Sequence, residues 1–250
     1  MKKFKEEYTR EMLILPIIIV IIWYLICDFF QLVPSYAFPG PIDVANSFVK
    51  LSLSGKLFID IFETLYKVLF GMLLASTVGI LLGIILGWYK RLERLCKLVI
   101  SILRPIPPIA WIPFSIIWFG LGIGPAVFII FMGCVFPILI STIDGVHRTD
   151  PVLIEAAQSF GASDRQMLTE VIIPSSLPFI VSGLKVAIGI ALMCTISGEM
   201  IGSSSGIGYM ILTSTNLFDT GSTVVGMLVI GVIGIIFDYI FTKIQERIFW

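Results

Sequence analysis

Residues Leu65 to Trp88 read LYKVLFGMLLASTVGILLGIILGW, a run of 24 residues with a single charge, Lys67. A hydrocarbon core about 30 Å thick is crossed by roughly 20 apolar helical residues, so this run is long enough to span a bilayer. Within it Gly71, Ala75, Gly79, Gly83 and Gly87 recur every fourth residue. On a helix they form one stripe without bulky side chains, where a neighbouring backbone can approach closely. The run therefore predicts a transmembrane helix packed in a bundle.

Five further apolar runs appear on either side of it: Met12 to Val33, Leu98 to Phe119, Pro125 to Ile143, Ser175 to Ser197 and Val224 to Phe241. The run from Leu98 is interrupted by Arg104, Pro105, Pro107, Pro108 and Pro113, which predicts a kinked or broken helix. A second small-residue row, Gly183, Ala187, Ala191 and Thr195, marks the fifth run. The first run follows Lys2, Lys3 and Lys5, as a secretory leader would. Its apolar stretch is too long for one, and Pro34-Ser35-Tyr36-Ala37 offers no A-x-A cleavage site, so it reads as a retained anchor. The expected fold is an all-α integral membrane protein with six transmembrane helices, residues 1–250 forming a single membrane domain. With 57% hydrophobic and 14% charged residues and a mean hydropathy of +1.01, the composition agrees.

Basic residues orient the chain. With the N-terminus inside, Lys2, Lys3, Lys5, Arg10, Lys90, Arg91, Arg94, Lys97, Arg148, Arg165, Lys243 and Arg247 all lie on the inner side. The outer segments hold only Lys50 and Lys56. This asymmetry places both termini in the cytoplasm. Seventeen basic and seventeen acidic residues cancel, so no bulk field points to nucleic acid. The scattered Cys27, Cys96, Cys134 and Cys194 read as small apolar packers, and a lone His147 supports neither a metal site nor a Ser-His-Asp triad. No cofactor and no catalytic residue is expected.

The inner segment Asp144 to Pro174 is too long for an ordinary bundle connection and is not loop-like. Asp150 suits an N-cap with Pro151 at the first helical position, Leu153, Ala156, Ala157 and Phe160 follow at helical spacing, and Gly161 is a natural stop. Ser163 with Gln166 three residues on forms a capping box that starts a second helix towards Pro174. Two short helices with a glycine corner could dock in a groove on a partner, or could lie flat on the membrane interface.

These residues carry a resemblance. Glu155-Ala156-Ala157, then Gly161, then Val171-Ile172-Ile173-Pro174 resembles the E-A-A, G, I-x-L-P signature of binding-protein-dependent ABC transporter permeases, with Val and Ile replacing the usual Ile and Leu. Leu103 to Pro113, Trp118-Phe119-Gly120, Asp144-Gly145-Val146 and Gly198-Glu199-Met200 are similar to the nitrate, taurine and alkanesulfonate branch. The resemblance implies a type I importer permease fold with a coupling helix between helices 4 and 5. It implies a second permease subunit, by default a homodimer, two ATPase subunits, an extracytoplasmic solute-binding protein and a bacterial cytoplasmic membrane. It further implies that Asp150, Pro151, Glu155, Ala156, Ala157, Phe160, Gly161 and Pro174 couple the chain to the ATPase. The sequence holds no G-x-x-x-x-G-K-[ST] phosphate loop of its own.

For the translocation path the candidates are Lys185, Glu199, Ser203, Ser204 and Gly206. Lys185 lies about 15 Å into the fifth helix at 1.5 Å per residue, where a charge needs a cavity or a partner. It is a cationic element of the path, or it snorkels, or it pairs with a carboxylate such as Asp144. Arg104 reads as a snorkelling or helix-pairing residue. The outer segment Glu199 to Tyr209, rich in glycine and serine, is a re-entrant gate, a seat for the binding protein or a plain turn. The resemblance implies a small anionic solute, sulfonate-, taurine- or nitrate-like. Relatives in the same family also import riboflavin or thiamine precursors. An ATP-independent secondary transporter or channel is the rival class; six helices, no evident internal repeat and few ionisable groups argue against it.

Overall fold

The structure, a computed structural model, describes residues 14–248, and among these every regular element is helical. In chain order the helices are α1 (Ile14–Phe29), α2 (Pro41–Leu53), α3 (Lys56–Trp88), α4 (Lys90–Leu103), α5 (Ile112–Phe119) and α6 (Ile123–His147). Then follow α7 (Pro151–Ser159), α8 (Asp164–Gly202), α9 (Ile207–Asn216) and α10 (Thr220–Ile248). Helices α3, α6, α8 and α10 are each long and apolar enough to cross a membrane. The Lys90–Leu103 and Pro108–Phe119 segments are apolar enough together but bent by 86° at the break between them, as in a broken span or a re-entrant loop. The basic leader and the start of the first predicted run, Met12 and Leu13, lie outside the described residues.

The third predicted run is therefore not one helix. Prolines at 105, 107 and 108 cannot donate to a helical ladder, so α4 ends at Leu103 and a 3₁₀ turn, Pro108–Trp111, leads into α5. Instead of starting at Leu98, the helix starts at Lys90 and is amphipathic. Leu92, Leu95, Leu98, Val99 and Ile102 line one exposed face, while Lys90, Glu93, Arg94 and Lys97 line the other.

The second expected short helix is likewise not separate from the fifth span. From Asp164 the chain stays helical for 39 residues to Gly202. Pro174, which lacks an N–H and would clash with the carbonyl four residues back, is accommodated because Met167–Ile172 widen into π-helical turns just before it.

Contacts divide the chain into two compact units. The smaller takes in the described residues up to Asp60 together with Met210–Val229. In it the Trp23 indole donates to the Pro39 carbonyl at 2.9 Å, and Thr220 Oγ1 donates to the Ser35 carbonyl at 2.7 Å. Gly40 leaves room for the Asp28 carboxylate, and Gly221 for Ser47.

The larger unit, Ile61–Tyr209 with Ile230 onward, is centred on α6. A Cβ on Gly71 would stand 2.6 Å from Ile130, one on Gly83 2.5 Å from Thr142, and one on Gly87 2.7 Å from Val146. The predicted glycine stripe of α3 is thus the seam against α6. On the other side of α6, a Cβ on Gly183 would stand 2.6 Å from Ser141, and Ala187, Ala191 and Thr195 are fully buried. Cys134 Sγ donates to the Ala187 carbonyl at 3.3 Å, and the four cysteines are free thiols.

Candidate functional site

Helix α7 is set by its ends. The Asp150 carboxylate accepts from the Val152 N–H at 2.9 Å, and Pro151 occupies the first helical position. At the other end Gly161 adopts φ +78°, a left-handed conformation that favours glycine. Its N–H donates to the Gln158 carbonyl at 2.9 Å, and the Ala162 N–H reaches back to Ala157 at 3.0 Å, a Schellman pair. The chain then restarts through a capping box. The Ser163 N–H donates to Gln166 Oε1 at 2.9 Å, and Ser163 Oγ accepts from the Gln166 N–H at 3.4 Å.

Ile154 and Ala157, three residues apart, pack on the cluster of Val146, Met167 and Ile172. That anchors one side of α7. Val152, Leu153, Glu155 and Ala156 are exposed, and Phe160 is 92% exposed at the corner. An apolar, capped helix with its outer face bare is a surface suited to a partner's groove.

At the far end of α8 the structure assembles a polar node among Thr64, Lys67, Glu199, Ser203 and Ser205. Lys67 and Glu199 are fully buried, with Nζ 3.0 Å from Oε1. All three Lys67 donors are used: Glu199, Ser203 Oγ at 3.0 Å and the Ser205 carbonyl at 2.7 Å. The Glu199 carboxylate also accepts from Thr64 Oγ1 at 2.9 Å and from the Gly208 N–H at 2.8 Å. Thr64 Oγ1 in turn accepts from the Ile207 N–H at 2.8 Å, so the first amide groups of α9 are tied to α3 and α8. Gly206, at φ +106°, passes so close to the Glu199 carboxylate that a Cβ there would overlap it.

The segment after residue 199 is therefore shorter than the sequence indicates. Glu199 and Gly202 belong to the last turn of α8, and only residues 203–206 are irregular. Of the path candidates here, Glu199 and Gly206 are buried, Ser203 is partly buried and Ser204 is exposed. Lys67 and Thr64 carry the node with them and were not candidates on sequence grounds. Two opposite charges in otherwise apolar runs, Lys67 and Glu199, were the available signal.

Lys185 pairs with Asp238, not Asp144. Its Nζ lies 3.4 Å from Asp238 Oδ1 and donates to Thr242 Oγ1 at 2.8 Å. Three residues beyond Thr242 on α10, Gln245 donates to Ser182 at 3.2 Å, extending one polar seam between α8 and α10. Asp238 remains 67% exposed and Lys185 30% exposed. Near the bend before α5, a cavity of about 470 Å³ is lined by Arg104, Pro108, Met132, Pro137, Ser141 and Ile190 among others, with no carboxylate among its lining residues. No group of three or more metal-ligating side chains occurs among the described residues.

Residues 79–250 match the family described as "Binding-protein-dependent transport system inner membrane component". A putative ABC transporter permease of Methanocaldococcus jannaschii is 45% identical over 66% of this chain, an alignment spanning 62% of that relative's length. The putative aliphatic sulfonates transport permease SsuC of Bacillus subtilis is 33% identical over 94% of this chain and 84% of its own. The taurine transport permease TauC of Escherichia coli is 33% identical over 60% of this chain and 54% of its own. In structure, a chain of the MetNI methionine ABC transporter in an inward facing conformation superposes with a TM-score of 0.71, at 18% identity, over 80% of this chain and 99% of that one. That likeness establishes a type I importer permease fold for an all-helical, membrane-embedded chain. Permeases of this kind work with separate ATPase and solute-binding subunits. The chain belongs to the binding-protein-dependent ABC transporter permeases, as a transmembrane transport subunit.

Proposed function

We propose that this chain forms the translocation path of an ATP-driven importer for a small anion of the sulfonate, taurine or nitrate kind. Two copies pair with each other and with two ATPase subunits, and an extracytoplasmic binding protein delivers the solute. Each copy acts as one permease domain in the cytoplasmic membrane, with both termini and α7 on the cytoplasmic side, as the distribution of Lys and Arg indicates.

The observation that carries this reading is the continuity of α8. A capped helix with a bare apolar face turns at Gly161 into a helix that runs without interruption for 39 residues to Glu199 and Gly202. Glu155, Phe160 and the exposed side of Asp150–Gly161 meet the ATPase. Movement of the ATPase pair then displaces α8 as a body. Arg104 in its carboxylate-free cavity supports an anionic solute, while Lys185 would contribute to the path from the polar seam, where it is paired with Asp238. Ser204 faces the outer entrance, while Glu199, Ser203 and Gly206 hold the shape of the segment that carries it.

The test is purification of the tagged chain with its associated subunits, followed by uptake into proteoliposomes. An ATPase should copurify, and uptake of a labelled alkanesulfonate or taurine should need ATP and the binding protein. Uptake by the chain alone under an ion gradient would sink the proposal, and riboflavin as the sole transported solute would remove its substrate half.

A further inference from the structure

Beneath α7 lies a cavity of about 640 Å³ that neither coupling nor translocation uses. Its charged wall is the polar face of α4, with Lys90, Glu93 and Arg94 spaced so that they share one side of that helix. The opposite wall is the C-terminal end of α6 with His147, followed by Thr149, and Ile154 of α7 closes it. Glu93 is the one carboxylate among these lining residues, and His147 Nε2 occupies it at 3.3 Å. Lys90 and Arg94 form no ion pair among the described residues, and two cations against the one Glu93 carboxylate leave the cavity wall with an excess of positive charge. Thr149 is only 5% exposed, and its hydroxyl has no hydrogen-bond partner. A buried orphan hydroxyl on a wall with an excess of positive charge asks for an acceptor.

The position of the cavity narrows the acceptor's class. Helix α4 turns Leu92, Leu95, Leu98, Val99 and Ile102 outward on the side away from Lys90 and Arg94. A helix with one apolar and one basic face lies in the membrane interface, with its charged groups at headgroup depth. Basic pockets between helices at that depth bind anionic lipid headgroups. Trp88 at the cavity edge is the residue type enriched there.

We infer that this cavity binds a phosphate-bearing anion, the headgroup of an anionic phospholipid, through Arg94, Lys90 and the Thr149 hydroxyl. An occupant would touch Ile154, so the seating of α7 would depend on the lipid around the protein. The proposed transport function contributes only the choice of leaflet.

The test uses the purified full-length chain in detergent, without ATPase, nucleotide or solute, so its failure is separable from failure of the proposed function. Binding is read by native mass spectrometry and by thermal unfolding with added dioleoylphosphatidylglycerol, dioleoylphosphatidylcholine or inorganic phosphate. The anionic lipid should bind about tenfold tighter than the neutral one, and Arg94→Gln or Lys90→Gln should lower its affinity by about tenfold. Arg91→Gln, on the same helix but outside the cavity, should bind as the parent does. Stabilisation by inorganic phosphate alone that Arg94→Gln abolishes keeps the site and assigns it a soluble occupant. Equal affinity for the two lipids with no response to phosphate, or anionic-lipid binding unchanged in both cavity variants, overturns the inference.

Discussion

Lys67 Nζ lies 3.0 Å from Glu199 Oε1, a contact that joins residues 132 apart in sequence with both side chains wholly shielded. Removing one member of such a pair strands the other charge, at a cost of about 3–5 kcal/mol. Lys67→Met should therefore lower the unfolding temperature in detergent far more than Lys67→Met combined with Glu199→Gln, which removes both charges. A double variant no more stable than the single one would show that the electrostatic pairing is not what holds this node.

The α3 seam makes a prediction about shape alone. Gly83→Leu drives a side chain into Thr142 and the Leu139 carbonyl, already 2.5 and 3.0 Å from a bare Cβ. Overpacking of this kind costs about 1–3 kcal/mol. Gly231→Ala, where nothing lies within 4 Å, should be neutral. Thermal unfolding of the two variants side by side decides the point, and equal behaviour would contradict the packing described for α3 and α6.

Phe160 has little to hold it in the free chain, so Phe160→Asp should leave the melting temperature within about 0.5 kcal/mol equivalent of the parent. It should nevertheless reduce recovery of the ATPase subunit in a pull-down. Gly161→Glu should do the same and also strain the left-handed corner. Full ATPase recovery and normal uptake in both variants would remove α7 as the docking element.

Lys185→Ala leaves Asp238 without its cation, while Lys185→Met with Asp238→Asn removes both charges. If the seam contributes to the path, both variants should slow uptake of an anion in proteoliposomes several-fold. If it only pairs helices, the neutral double variant should transport like the parent. Unchanged rate and apparent affinity in Lys185→Ala would take this residue out of the path.

What the sequence made legible were the features whose physics is local. The Asp150 cap, the Gly161 stop and the Ser163–Gln166 box each depend on residues within a few positions of one another, and all stand where they were expected. The glycine stripe was legible because its period matches the helix. Its partner surface on α6 was not, since nothing in Ile130, Thr142 or Val146 marks them as the residues that fill it. The prolines after Leu103 announced a break but not its 86° angle, and the apolar stretch concealed that α4 is amphipathic. Pro174 suggested a boundary, yet π-helical turns absorbed it. Lys67 and Glu199 were each visible, but their pairing is tertiary. Lys185 illustrates the same limit: a partner was expected, and of the available carboxylates the fold supplied Asp238.

The length of α8 has a mechanical consequence. Thirty-nine residues at about 1.5 Å each make a rod of roughly 58 Å, with the docking corner at one end and the Lys67–Glu199 node at the other. An α-helical rod transmits axial displacement with little loss except where its hydrogen-bond ladder is irregular. Here the irregularities sit at Met167–Ile172 and at Pro178, which lies inside the helix and has no N–H to donate. A small stroke at the docking end would thus be partly taken up between Met167 and Pro178, and what remains would arrive at Glu199. The buried ion pair would then be the stop against which such a stroke acts, and loosening it would be felt as slack in the whole drive train.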